Sequence, residues 1–143
     1  MIRRLSNLNE LSASNRPKYN PNAYGTGIVH LGVGSFHKAH QAYYTDKILE
    51  KSGGDWRIMG VSLRSNDAQN QLRPQNGLYT LLIKGEMGTT SRVIGSIVDV
   101  LSASKNSEPA IQAMVNKNIK IVSLTVTEKA YGLNLSNLGC NIN

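Results

Sequence analysis

The sequence predicts an α/β fold, an incomplete Rossmann-type doubly wound sheet with an inserted antiparallel hairpin. Three observations predict it. Short apolar runs alternate with stretches of helical period. A glycine turn, Gly32-Val33-Gly34, separates the first such run from the first helical stretch. Later, two strand-like runs flank a short loop bounded by Gly85 and Gly88. Right-handed crossovers place alternating strands side by side in one parallel sheet, and the hairpin interrupts that order. About half of a six-stranded dinucleotide-binding sheet is encoded.

The elements follow in order. Residues 1–26 are polar, with Pro17, Pro21 and several Asn, and read as an arm that leads into or wraps the domain. Gly27 to Leu31 is a short apolar run that reads as a buried strand, ended by Gly32. From Phe36 to Lys51 the period becomes helical: Phe36, Ala39, Tyr43 and the pair Ile48–Leu49 share a face, with Gln41, Asp46, Lys47 and Glu50 mostly opposite. Gly53-Gly54 ends that helix. Arg57 to Leu63 is a second strand, and Ser65 to Leu72 a short helix ended by Pro74. Leu78 to Lys84 and Arg92 to Val98 form the hairpin. Ser107 to Val115 has an N-cap serine and a first-turn proline, so it reads as a helix. Ile119 to Val126 is a strand apolar on both faces. The organisation is an arm over 1–26, a partial dinucleotide-binding domain over 27–133, and a divergent, truncated tail over 134–143.

Bulk properties exclude several classes. Hydrophobic residues are 40% and charged residues 17%, a globular balance that argues against disorder. Cys140 is the single cysteine, so neither an intrachain disulfide nor a cysteine-based metal site is available. No apolar stretch approaches the roughly 20 residues a membrane helix needs. Arg3 and Arg4 are not followed by an apolar segment, which argues against a secretory leader. Three Arg and three Ser in the first sixteen residues faintly suggest a mitochondrial transit peptide, but a short arm of a cytoplasmic protein is the better reading. The net charge of +7 raises nucleic-acid binding, but the basic residues are scattered without interleaved aromatics, so no nucleic-acid partner is expected.

The segment Gly32-Val33-Gly34-Ser35-Phe36-His37 lies where a dinucleotide-binding turn must lie. The first glycine permits the tight turn. The second lets backbone approach a pyrophosphate at the positive end of the helix dipole. His37 stands where a third glycine is usual. At the end of the second strand, Asp67 holds the ribose hydroxyls of NAD if the chain turns back there, whereas Arg64 would meet the 2′-phosphate of NADP. The sequence points both ways. His30, His37 and His40 lack a nearby carboxylate or cysteine to complete a metal site and read as packing around the turn.

At these residues the chain resembles a known family. GIVHLGVGSFHKAHQAYYTD (Gly27 to Asp46) is similar to the start of the long-chain polyol dehydrogenases, which include mannitol 2-dehydrogenase and fructuronate reductase types. Four further segments agree in order: Asp55-Trp56 before GVSLRS (Gly60 to Ser65), PQNGLYTLL (Pro74 to Leu82), RVIGSI (Arg92 to Ile97) and IVSLTVTEKAY (Ile121 to Tyr131). The resemblance runs from about Pro17 to about Leu133. It implies a metal-independent hydride transfer between NAD, with NADP not excluded, and a small polyol, ketose or sugar acid. It also implies that Gly32, Gly34, Phe36 and His37 lie at the cofactor pyrophosphate, Asp67 near the adenosine ribose, and Thr127 and Glu128 at the carboxyl end of a strand, with Glu128 toward the nicotinamide. Lys38, Asn76 and Ala130 depart mildly from the pattern. The family's catalytic Lys-x-x-x-x-Asn-x-x-His pattern belongs to a mostly helical second domain. Lys129 and Asn134 reproduce its first spacing, but Asn137 stands where histidine is required. No catalytic residue is therefore assigned here, and the chain alone is expected to be inactive. A non-catalytic nucleotide-binding module or gene remnant is the alternative.

Overall fold

The computed structural model describes residues 8–11, 16–86 and 88–126, together with the backbone of 133–134 and 139–140. Four strands form one parallel sheet: β1 (Thr26–Leu31), β2 (Arg57–Ser62), β5 (Ile97–Ser102) and β6 (Ile121–Leu124). Their order is β5-β2-β1-β6. Numbered among themselves, the parallel strands run third, second, first, fourth, the first four positions of a doubly wound dinucleotide-binding sheet. A separate antiparallel hairpin pairs β3 (Tyr79–Gly85) with β4 (Gly88–Ile94), joined through residues 86–87. A two-residue pair, β7 (Leu133–Asn134) with β8 (Gly139–Cys140), lies near the end of the chain.

Side chains alternate across each strand, so β1 feeds two cores. Ile28 joins Ile58, Val100, Ala42, Leu72, Ile94 and Ile97 on one face. That face carries α2 (Gln41–Ser52) and α3 (Asp67–Leu72). Val29 joins Val61 and Ala110 on the other, where Ala110 belongs to α4 (Glu108–Met114). β1 and β2 are largely buried, which explains their continuous apolar character in the sequence. β6 is different. Among the described residues it pairs only with β1, and Ile121, Val122 and Leu124 are all exposed.

Three elements differ from the sequence expectation. The single helix expected over 36–51 is two helices, α1 (Ser35–Ala39) and α2, broken at His40, whose φ of −120° and ψ of −86° are not helical. The expected apolar face is also displaced. Phe36 and Ile48 are exposed, and the buried line along α2 is Ala42, Asp46 and Leu49. The second hairpin strand ends at Ile94, not Val98. Gly95 and Ser96 then turn the chain into β5, an edge strand of the parallel sheet that the sequence reading fused to the hairpin.

Asp46 explains both the displaced face and the turn. Its carboxylate is fully buried. It accepts from Arg92 Nε at 2.9 Å and Nη2 at 2.6 Å, from the Tyr19 hydroxyl at 2.6 Å and from the Gly95 N–H at 2.9 Å. Arg92 also pairs with Glu50. The Tyr19 hydroxyl, buried and donating to this carboxylate, is held protonated far above its ordinary pKa. Around the same turn, Ser96 Oγ donates to the Ala42 carbonyl at 2.7 Å, and Arg57 donates to the carbonyls of Gly95 at 3.2 Å and Ile97 at 3.1 Å. One carboxylate thus gathers the arm, α2, the hairpin and the entry to β5.

Removing one partner of a buried pair leaves an uncompensated charge, which typically destabilises by about 3–5 kcal/mol. We expect Asp46→Ala to lose stability of that order, because Arg92, Tyr19 and the Gly95 N–H all lose their acceptor. Urea denaturation of parent and variant checks this. A difference under about 1 kcal/mol, the size of a typical surface pair, would show that the network is not what holds these segments.

Candidate dinucleotide site

The site is built where β1 ends. Gly32 takes φ +100°, a left-handed conformation that disfavours any other residue, and its N–H donates to the Val61 carbonyl at 2.8 Å. The Gly34 N–H then donates back to the Gly32 carbonyl at 2.9 Å, and α1 starts at Ser35. The early N–H groups of a helix have no intrahelical acceptor, so they face outward here beside the turn. β1 is flanked by β2 on one side and β6 on the other. The chain moves one way from β1 to β2 and places β6 on the opposite side, so the carboxyl ends of β1 and β6 form the switch point at which open α/β sheets bind ligands.

Gly34 behaves unlike Gly32. Its φ of −98° is available to any residue, and no atom lies within 4 Å of where a Cβ would project. Neither backbone conformation nor packing requires glycine there. Phe36 is 65% exposed and stacks on the His40 ring, with centroids 5.1 Å apart.

Behind the turn lies a polar cluster. His30 Nδ1 meets Ser123 Oγ at 2.9 Å, and Nε2 meets Thr125 Oγ1 at 3.0 Å. Gln41 Nε2 donates to the same Ser123 hydroxyl at 3.2 Å. The His37 ring stacks flat on His30, with centroids 3.8 Å apart and planes 10° apart. His37 is 1% exposed, and neither ring nitrogen has a partner. Burial, helped by the neighbouring His30 and Lys38, pushes its pKa down to about 3. Burial also lowers that of His30. Both rings are therefore neutral near pH 7, so no charge is buried in the stack. His37 occupies the third-glycine position as an inward-facing packing group, and among the described residues no group of three metal-ligating side chains forms around it.

At the end of β2, Ser62 Oγ donates to the Ser65 carbonyl at 2.7 Å and bends the chain back. Asp67 then opens α3, exposed, with its carboxylate accepting from Ser65 Oγ at 2.9 Å. Arg64 is exposed nearby in sequence. Asn66 Oδ1 accepts from the hydroxyls of Ser102 and Ser104, tying the carboxyl ends of β2 and β5 together. The structure thus places Gly32, Gly34, Phe36 and His37 on one turn, and Asp67 at the end of the adjacent strand. Thr127, Glu128 and Lys129 lie outside the described residues. The sequence reading missed Gln41, Asn66, Ser102, Ser104, Ser123 and Thr125. For all but Gln41, which opens α2, the signal is a Ser, Thr or Asn near the carboxyl end of a parallel strand.

A family model described as the mannitol dehydrogenase Rossmann domain matches residues 26–138. The chain belongs to the mannitol dehydrogenase family. It is 44% identical over 131 residues to mannitol 2-dehydrogenase of Pyrenophora tritici-repentis, covering 90% of this chain and 23% of that protein. It is 44% identical over 117 residues to an uncharacterized oxidoreductase of Escherichia coli, covering 80% of this chain and 24% of that one. Among solved structures it is similar to Pseudomonas fluorescens mannitol 2-dehydrogenase in a ternary complex with NAD and D-mannitol. That match has a TM-score of 0.81 and 42% identity, and covers 96% of this chain and 29% of that one. A D-sorbitol dehydrogenase in substrate-free form gives a TM-score of 0.81 at 34% identity, covering 98% of this chain and 30% of that one. The chain therefore spans about a quarter of the length of the curated relatives it matches.

The stacked histidines make stability depend on pH with a definite sign. The folded pKa of His37 is about 3 against an ordinary 6.5, so the unfolded chain binds more protons between those values. Its neutral form contributes stability above pH 6.5 that is lost as pH falls toward 3, with a limiting slope of about 1.4 kcal/mol per pH unit. His30 acts in the same direction. In urea titrations at pH 7 and pH 5, we expect His37→Leu to lose less stability on acidification than the parent. Equal losses would show that His37 does not resist protonation in the folded state.

Proposed function

We propose that this chain is the dinucleotide-binding part of an NAD-dependent oxidoreductase acting on a polyol, ketose or sugar acid. The observation that carries the reading is Gly34, a glycine that the fold itself does not require, with open space at the switch point of a parallel sheet. A ligand that approaches the backbone closely accounts for it, and a pyrophosphate fits beside the outward N–H groups of α1. The relatives support the substrate class. Two are mannitol 2-dehydrogenases, and one of these is a complex with NAD and D-mannitol.

In this reading Gly32 and Gly34 shape the pyrophosphate cradle, with Phe36 and His37 on the same turn. Asp67 accepts from the ribose hydroxyls and disfavours a 2′-phosphate, while Arg64 favours one. Thr127 and Glu128 follow β6 in the sequence, and the family resemblance assigns them to the nicotinamide side. The bound nicotinamide supplies the hydride acceptor or donor. Proton transfer at the alcohol needs a general acid–base group. Because the Lys-x-x-x-x-Asn-x-x-His pattern is absent from these 143 residues, we assign that group to a further domain. A hexuronate such as fructuronate is the other substrate class within this reading. Neither nucleic acid nor membrane enters it, and a cytoplasmic enzyme drawing on the NAD pool is the setting that fits.

Gly34→Asp is the sharpest test because the backbone and surrounding space tolerate it. The carboxylate would repel a pyrophosphate and block its approach, so NADH affinity should fall by about a hundredfold or more, the scale of losing charge-assisted hydrogen bonds. The melting temperature should not change. Calorimetric titration with NADH checks this, and equal binding by parent and variant would remove the turn from the cofactor site. The same titration with NADPH should show weaker binding than NADH. Tighter NADPH binding would assign the choice to Arg64.

We also expect no turnover of mannitol, fructose or fructuronate by the 143-residue chain alone. Absence of general acid–base help typically slows such a step by 10²–10⁴-fold, roughly, before any loss of substrate positioning. NADH absorbance followed with purified chain tests it. Turnover well above a host-protein control would place catalytic residues within these positions.

A further inference from the structure

Arg57 stands at the amino end of β2, beside Thr26 at the start of β1. The glycine turn lies beyond the carboxyl end of β1, roughly 17 Å away at about 3.3 Å per strand residue. Arg57 is 6% exposed. Its Nε and Nη2 each donate one hydrogen bond, to the carbonyls of Gly95 and Ile97. A guanidinium has five N–H donors, so three are not used by these bonds. Among the described residues no carboxylate lies within ion-pair distance of it. The buried Asp46 carboxylate binds the N–H of the same Gly95, but its ion-pair partner is Arg92. Burial lowers the Arg57 pKa, consistent with a charge short of compensation.

Arg57 lines a pocket of about 260 Å³ together with Asn9, Asn22 and Asn76. Its remaining lining is Leu8, Pro21 and Leu78, so among the described residues no acidic side chain lines it. We propose that this pocket binds a small oxyanion, a carboxylate or a phosphate, with Arg57 as its counter-charge. The planar guanidinium fork matches both groups geometrically. The Asn22 carboxamide, exposed on the pocket wall, supplies a further donor without adding negative charge. The volume suits a small anion and not a dinucleotide. This site is separate from the glycine turn and does not depend on the cofactor reading.

The test is thermal unfolding of the full chain at constant ionic strength, titrated separately with inorganic phosphate and with acetate. At least one anion should raise the melting temperature saturably, and comparison of the two identifies the preferred oxyanion. Arg57→Gln also removes the bonds that hold Gly95 and Ile97, so it can disturb folding. Asn22→Asp leaves Arg57 in place and sets a carboxylate on the pocket wall, from an exposed position on the arm. We expect it to weaken the response at least about tenfold, as loss of a charge-assisted interaction would. Gly34→Asp should leave the response intact. The proposal is overturned if neither anion acts saturably, if Asn22→Asp responds like the parent, or if Gly34→Asp abolishes the effect, which would place the anion at the glycine turn.

Discussion

The buried carboxylate of Asp46 is the constraint on which the remaining architecture rests. A parallel sheet needs its strands delivered from one side, yet this chain inserts an antiparallel hairpin between β2 and β5. Something must end the hairpin and return the chain to the sheet. Asp46 does so by holding Arg92 near the end of β4 and the Gly95 N–H just after it, while the Ser96 hydroxyl reaches the α2 carbonyl of Ala42. Tyr19 brings the arm to the same point. A charge is expensive to bury unless every lone pair is used, and here four donors from three segments converge on one group. Position 46 thus couples local helix geometry to global topology.

That coupling limits what the sequence could reveal. β1 and β2 were legible because strands buried on both faces are continuously apolar, and the glycine turn because it sits between a strand and a helix. The α2 face was misjudged for a physical reason. Periodicity assigns an aspartate to the solvent side, and partners distant in sequence, Arg92, Tyr19 and the Gly95 N–H, make a buried one tolerable. β5 was hidden because Arg92 to Val98 reads as one run, with a break at Gly95-Ser96 that is set by partners far away in sequence. The helix break at His40 had no local glycine or proline to announce it.

The candidate site was partly legible for the same reasons. Gly32 declares itself through its left-handed φ, and Gly34 through the absence of any structural need for it. The histidine in the third-glycine position weakened the motif as a pattern, and the structure supplies its rationale. His37 turns inward and packs flat on His30, whose two nitrogens bind Ser123 on β6 and Thr125 just beyond it. The place where a bare glycine would allow close helix–sheet contact is filled by a pair of neutral rings joined to the next strand. Side chains from three elements of the sheet's carboxyl edge are therefore linked before any ligand arrives.

β6 has a different kind of consequence. It is hydrogen-bonded along one side by β1, and Ile121, Val122 and Leu124 stand exposed on it. A strand in that state is a template for another strand of either origin, its own chain or a neighbour's. The monomer then competes with assemblies that grow edge to edge, and the balance is set by concentration and time as much as by sequence. Handling of this polypeptide is accordingly a kinetic matter: dilute, cold and brief conditions favour the isolated fold, and crowding or slow concentration favours its polymers.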